Sequence, residues 1–579
     1  MFFFILCSFM YFQNNFIDMW LNYFFFLITL LIVTYMNIVY IGKKGFFFIN
    51  MLFISIWVLL SNFIFFKIWH SNICVFYDFF FIYYFDENIP ICLNMYIDLY
   101  NYNYINLTLS IGGVTFVYAY SYMRDENYIE KFLFLLLSFL YSMIILLLSN
   151  NFILLLLGWE LIGVTSYFLI NFWIIKISTF KSAYKAFIFN RLSDLCIIVV
   201  LLLYLNFYNS WYLFIDTWYY HYNLFFYYEV CFMLVNGYDI MACFLIIAAF
   251  CKSAQFGFHN WLPDSMEAPV PASALIHSAT LVSAGIYLLN KFWALIILSN
   301  FFIKICFLVS SWTALYGAII AIYQTDLKRI LAYSTISHCG VLVLISFLNN
   351  IHILCIYLYV HGLFKSLSFM CVGNIIKTSS NIQDYRYMGQ KFITHKFEYY
   401  FLIISLINLS GYVFSIGFFG KHLMIITFLF LGYTYYIGFF FFFTTALIGF
   451  FYTFFLVNHV FFCFYKNFAN TPLLLTTSYS TTTPLCQNAI ICILWVQSLY
   501  HLIYFYSSVN YYNADLGDTI YLTTSYYFNQ FFLIKSNFFY QYLNYFLWNF
   551  FFVFFIYLNF KNYFFSFLLI FFLFFLFFF

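Results

Sequence analysis

A chain of 579 residues that is 66% hydrophobic and only 7% charged is not a soluble globular domain, whose apolar fraction lies near half. Its net charge of +3 is too small to mark a nucleic-acid partner. A mean hydropathy of +0.93 points to a life in the bilayer.

A helix needs about 20 apolar residues to cross roughly 30 Å of hydrocarbon. Runs of that length recur at 19–41, 46–66, 132–157, 186–206, 270–298, 305–323, 341–376 and 437–465. Counting spans interrupted by polar residues, the length rule predicts an all-α polytopic transmembrane bundle of about 14–16 helices. The short alternating segments of a transmembrane β-barrel are not evident.

In chain order, residues 1–90 hold plain apolar helices broken by the Gly42–Lys44 turn. The first 40 residues lack a basic n-region and a small-residue cleavage site, which predicts mature helices rather than a signal peptide. Residues 91–430 form the expected core, interrupted by the charged loop RDENYIEK (Arg124 to Lys131) and by a Tyr- and Trp-rich stretch at 207–237. Residues 431–524 read as further helices with a Thr/Ser-rich loop at 471–485. In the tail, 525–579, Gln530, Asn537, Gln541 and Asn544 form a weak polar stripe, and an apolar run follows Lys561. A helix lying laterally and ending in an anchor fits that pattern as well as two ordinary spans.

The 91 Phe and 57 Tyr, against 21 Gly and 6 Pro, follow AT-rich codons such as those of an organellar genome, so the aromatics carry no functional weight. The 14 cysteines include no C-x-x-C and read as buried hydrophobes. Without a G-x-G-x-x-G or a P-loop there is no nucleotide signature. The chain is therefore expected to hold no cofactor or metal, with any associated redox chemistry on other chains.

Chemistry concentrates in CKSAQFGFHNWLPDSMEAPVPASALIHSATLVSAGIYLL, residues 251–289. An ionisable side chain at membrane depth costs several kcal/mol and is a functional hypothesis by default. Burial disfavours the ammonium form of Lys252 while a carboxylate partner favours it, so a lysine held between the two can load and release a proton. His259, seven residues on, is expected on the same helical face, with the break at Pro263; His277 is expected to begin the next helix. Histidine relays protons between its two nitrogens near neutrality.

Elsewhere, Glu160 stands alone in an apolar run, and Arg191 and Asp194 can pair three apart on one helix. That pair serves either as a membrane-edge salt bridge or in function. His361 and Lys365 lie four apart on one face, and Lys421 follows the loosening glycines Gly417 and Gly420. Asp326, Lys328 and Arg329 read as a structural helix-end turn. The order is that of a proton wire: a carboxylate, a lysine, histidines and two more lysines.

GWELIGVTSYFLINFW, NRLSD, W-L-P-x-x-M-E-x-P-x-P-x-S-A-L-I-H-x-x-T, DLKRILAYSTISHCG and HGLFKSLSFMCVGNIIK together resemble the antiporter-like membrane subunits of respiratory complex I, the subunit-5 branch rather than its relatives 2 and 4. The resemblance covers roughly residues 95–425. It implies two discontinuous helices, a Glu160–Lys252 pair, the Arg191–Asp194 pair, connecting histidines His259, His277 and His361, and the lysines Lys365 and Lys421. It also implies a lateral C-terminal helix at 525–562. The activity implied is proton translocation coupled to NADH oxidation and ubiquinone reduction. NADH, FMN, iron–sulfur clusters and ubiquinone would all sit on other subunits. The implied setting is the mitochondrial inner membrane, and the implied partners are the other membrane-arm subunits, above all the subunit 4 homologue, and lipids, cardiolipin among them. A cation/proton antiporter subunit is the rival reading, and a scaffold the third. Four positions depart from the family pattern: His422 replaces an acid, Val413 a proline, Tyr357 a histidine and His338 a glutamine.

Overall fold

Apolar runs cut by polar punctuation set the helices of this chain, and a computed structural model shows where the cuts fall. It describes residues 16–71, 75–84, 90–208, 227–230, 233–278, 280–348, 351–379, 381–389, 391–392, 395–412, 415–431 and 436–463. The expected loop at 471–485, the tail at 525–579 and Val413 lie outside the described residues.

The protein is an all-α multi-pass membrane bundle. Among the described residues nine helical segments are long and apolar enough to span, counting Val270–Lys291 as one, and two shorter helices are also apolar. The chain opens with α1 (Phe16–Met36) and α2 (Ile38–Ser71), the latter kinked at Gly42, whose φ is 72°. A hairpin of β1 (Val75–Tyr84) and β2 (Pro90–Ile97) follows, paired antiparallel. A second, shorter one joins β3 (Tyr227–Val230) to β4 (Met233–Asn236). These hairpins occupy connections between helices, where aromatic and β-branched residues favour strand over helix.

Asp98 starts α3 (Leu99–Tyr122) by accepting the Asn101 amide at 2.6 Å, an N-cap for an orphan donor. The apolar run 132–157, expected as one span, is two helices: α4 (Ile129–Leu148) and α5 (Phe152–Ile170). Ser149, Asn150 and Asn151 break it, because their short polar side chains compete with helical hydrogen bonds. The long α6 (Ile177–Tyr208) then packs between α5 and α7 (Gly237–Lys252).

The first discontinuity begins at α7. Sequence reasoning placed the break at Pro263 with His259 still on the helix, but α7 ends at Lys252. Residues 253–260 turn through Ala254 (φ 52°) and Gly257 (φ 90°), and glycine tolerates that left-handed backbone. After short turns come α8 (Val270–Ser278) and α9 (Leu281–Lys291). His277 therefore ends a helix rather than beginning one, and a second break follows it at Thr280.

Beyond lie α10 (Asn300–Tyr323), α11 (Leu327–Phe347) and α12 (Ile351–Thr378), so the expected run 341–376 is also two helices. α12 is central: it packs against α3, α8, α11, α13 (Lys396–Ser410) and α14 (Ile416–Leu431). Gly411, in the left-handed conformation at φ 75°, caps α13 and opens the second discontinuity. The last described helix is α15 (Tyr436–Val457).

Candidate functional site: a buried polar axis

Where α7 stops, Lys252 is left fully buried beneath α5 and α6. Its Nζ lies 5.2 Å above the Trp159 ring and has no hydrogen-bond partner. A cation at a helix C-terminus is favoured by the helix dipole, and the indole face adds a cation–π attraction. The sequence pointed to Glu160 as the counter-charge. The structure sets Glu160 against Arg191, Oε1 to Nη1 at 3.9 Å, with its side chain 38% exposed. Arg191 also holds Asp194 at 3.4 Å, and that carboxylate is 5% exposed. Of the two carboxylates on Arg191, Asp194 is the more deeply buried and the stronger candidate for the charge that balances Lys252. A buried carboxylate in low dielectric outweighs a half-exposed one.

His259, displaced from α7, lies in the connecting turn with its ring stacked on Phe256 and its Nε2 3.1 Å from the Tyr316 hydroxyl. His277 sits deeper: Nε2 is 3.1 Å from Ser265 Oγ, and Nδ1 has no partner. Trp261 ties the backbone next to the lysine to the surroundings of this histidine. Its indole donates to the Cys251 carbonyl at 2.9 Å, and its ring is 6.3 Å from that of His277.

α12 carries the axis onward. Both His361 nitrogens lack a hydrogen-bond partner, and the ring is turned to the Ser278 backbone at the α8–α9 break. One turn on, Lys365 donates to the Ser334 hydroxyl of α11. His338, from α11, approaches the His361 ring at 5.7 Å, and its Nδ1 lies 2.7 Å from the Tyr357 hydroxyl. Two departures from the family pattern are thus each other's hydrogen-bond partners.

His338, Tyr357 and Lys421 line one small cavity of about 20 Å³ with Ser337, Thr445 and Tyr452, enough room for a water molecule. Lys421 reaches the axis from α14 and donates to the Ser410 carbonyl at 2.8 Å, the end of α13 exposed by the break. A Cβ on Gly411 would come within 2.7 Å of Lys421 Cδ, so glycine also makes room for this lysine. His422, the third departure, faces outward and stacks on Phe418.

The structure thus gathers Glu160, Arg191, Asp194 and Lys252 into one group, and His361, Lys365 and Lys421 into another. His277 contacts Ser265, Trp261 and Phe369, and His259 contacts Phe256 and Tyr316, so neither is joined to these groups by a hydrogen bond. Sequence reasoning assigned no role to His338 or Tyr357 beyond their departure, or to Trp159, Trp261, Ser265 and Ser334. Only spatial neighbours reveal them.

Lys328, read as part of a structural helix-end turn, is buried and donates to the carbonyls of Met266 (3.2 Å) and Ala268 (3.1 Å). It thereby satisfies broken backbone at membrane depth. Its neighbours Asp326 and Arg329 pair across the first turn of α11, at 3.4 Å.

Residues 149–449 match the family described as NADH:quinone oxidoreductase/Mrp antiporter, TM. The NADH-ubiquinone oxidoreductase chain 5 of Paramecium tetraurelia is 48% identical over 335 residues, 57% of this chain and 58% of that one. The proteins of the same name from Dugong dugon and Allomyces macrogynus are 34% and 36% identical, over 58% and 54% of this chain and 54% and 47% of theirs. The match thus spans about half the length of these curated relatives. The fold is similar to the solved Mrp complex from Dietzia sp. DQ12-45-1b: TM-score 0.65 at 22% identity, covering 80% of this chain and 49% of that one.

Proposed function

The chain belongs to the NADH:quinone oxidoreductase/Mrp antiporter transmembrane family, and from that premise we propose that it is the subunit-5-type proton-translocating subunit of a mitochondrial NADH:ubiquinone oxidoreductase. The observation that carries this reading is Lys252, an ammonium sealed from solvent at a broken helix without a hydrogen-bond partner, at one end of a line of histidines and lysines. Its partners would be the other membrane-arm subunits, the subunit 4 homologue first, and inner-membrane lipids such as cardiolipin. NADH, FMN, iron–sulfur clusters and ubiquinone belong to those other subunits, and this chain supplies none of the redox chemistry.

Arg191, shared between Glu160 and Asp194, is the natural point for an outside signal to act. A shift that draws Asp194 away from Lys252 removes the negative charge favouring the ammonium form, and the lysine gives up its proton. His277 and His361 present unpartnered ring nitrogens on the way to Lys365, and the water-sized cavity leads from His338 and Tyr357 to Lys421. Proton transfer runs over hydrogen-bond lengths, so the handovers between these groups call for side-chain movement or bridging water.

The test is Lys252→Met in the assembled complex. NADH-driven proton pumping is expected to collapse while the subunit remains in the complex on a native gel; unchanged pumping overturns the assignment. Sodium-dependent transport without any electron donor would identify a cation/proton antiporter instead.

A further inference from the structure

Two carboxylates are buried among the residues whose burial is described: Asp194, beside Lys252, and Glu398, which no step above uses. Glu398 lies in the first turn of α13 with its side chain 1% exposed, next to the equally buried His395. Its Oε1 accepts from Asn374 Nδ2 of α12 at 3.1 Å, and Asn374 Oδ1 accepts from the Tyr118 hydroxyl of α3 at 3.2 Å.

The histidine's orientation is fixed by Thr378. That hydroxyl lies 3.0 Å from the carbonyls of both Asn374 and Ile375, so its hydrogen is spent on the backbone. Its oxygen then accepts from His395 Nε2–H, at 2.9 Å. The other nitrogen, Nδ1, faces Glu398 Oε2 at 3.6 Å, and neither atom has any other partner. With a neutral histidine and an ionised glutamate, two lone pairs would oppose each other in the protein interior. One proton between them removes the conflict, whether it resides on nitrogen or on oxygen. The pair is built to hold one proton and to be strained without it.

Its position connects that proton to a route. Beside Thr378, Lys377 points outward, donating to the Tyr122 carbonyl at 2.6 Å and reaching Asp125, which is 85% exposed, at 3.5 Å. Inward along α12, Lys365 is nine residues from Asn374, ~13 Å at helical rise. Other titratable neighbours are Tyr118, itself close to Tyr122 and Cys371, and Lys391 in the connection before α13. α14 and α15 also pack on α13, and among their described residues the titratable groups are Lys421, His422 and Tyr452.

We propose that His395 and Glu398 form a one-proton binding site through which the Lys365–Lys421 half of the axis exchanges protons with the membrane face carrying Lys377 and Asp125. The proposal rests on the proton-path reading, and two variants separate the two. Lys365→Met tests the path: wild-type pumping there overturns the path and this site with it. Glu398→Gln, in membranes holding the assembled complex, tests the site. Uncoupled NADH oxidation should persist while protons pumped per electron fall about two-fold or more and the pH profile of pumping loses one titrating group. An unchanged ratio and profile in Glu398→Gln, with Lys365→Met defective, overturns this site alone. Should Glu398→Gln fail to assemble, His395→Gln is read by the same two measurements, since it removes the facing nitrogen and leaves the carboxylate.

Discussion

A buried ammonium keeps its charge only if something negative stands near, and which carboxylate serves Lys252 decides how the site responds to change. Glu160 is half exposed and shares Arg191 at 3.9 Å, whereas Asp194 is almost wholly buried at 3.4 Å from the same guanidinium. Exposed pairs contribute under about 1 kcal/mol, whereas breaking a buried one costs ~3–5 kcal/mol. Asp194→Asn should therefore depress pumping more than Glu160→Gln, measured as protons per electron in assembled complexes; the reverse order would restore Glu160 as the counter-charge. The sequence named all four members of this group because each is expensive in an apolar run. It could not rank them, since exposure depends on neighbours in space. The same limit hid the bond between His338 and Tyr357, which looked like two separate departures until their 2.7 Å contact joined them.

Elements break where backbone can be satisfied elsewhere, and each break recruits a distant side chain. Lys328, about sixty residues along the chain, donates to Met266 and Ala268, and Trp261 donates to the last turn of α7 at Cys251. Leaving buried carbonyls without a donor costs ~1–3 kcal/mol. Lys328→Met should thus lower the thermal stability of the subunit and its abundance on a native gel. Lys252→Met, whose Nζ donates to nothing, should leave both near normal. Equal losses in the two variants would mean that Lys328 has no clasping role. The prolines of 263–271 did announce a discontinuity, but the turn itself starts earlier, at Ala254 and Gly257. A single glycine among aromatics gave no warning of that, because glycine adopts either hand of backbone and its neighbours in sequence do not fix which.

Across the whole molecule, two broken helices bring Lys252 and Lys421 towards opposite ends of a line that passes through α12. The middle is continuous: His361 faces the α8–α9 break, His338 stands 5.7 Å from it, and Tyr357 opens onto the cavity shared with Lys421. Between Lys252 and His277, however, the structure shows no hydrogen bond, and the Trp261 indole, its ring 6.3 Å from that of His277, is bonded to the Cys251 carbonyl. Either the two halves act as one wire across that gap or each moves its own proton. Effects of residues in one coupled unit are not additive, whereas independent sites add. For a single wire, Lys252→Met with Lys421→Met should pump no worse than the more defective single variant. For two separate routes, the double variant should lose the sum of the two deficits. The shared helix α12, with His361 reaching the first half and Lys365 the second, favours the single wire. Protons per electron in the two single variants and the double, at equal complex content, decide between them.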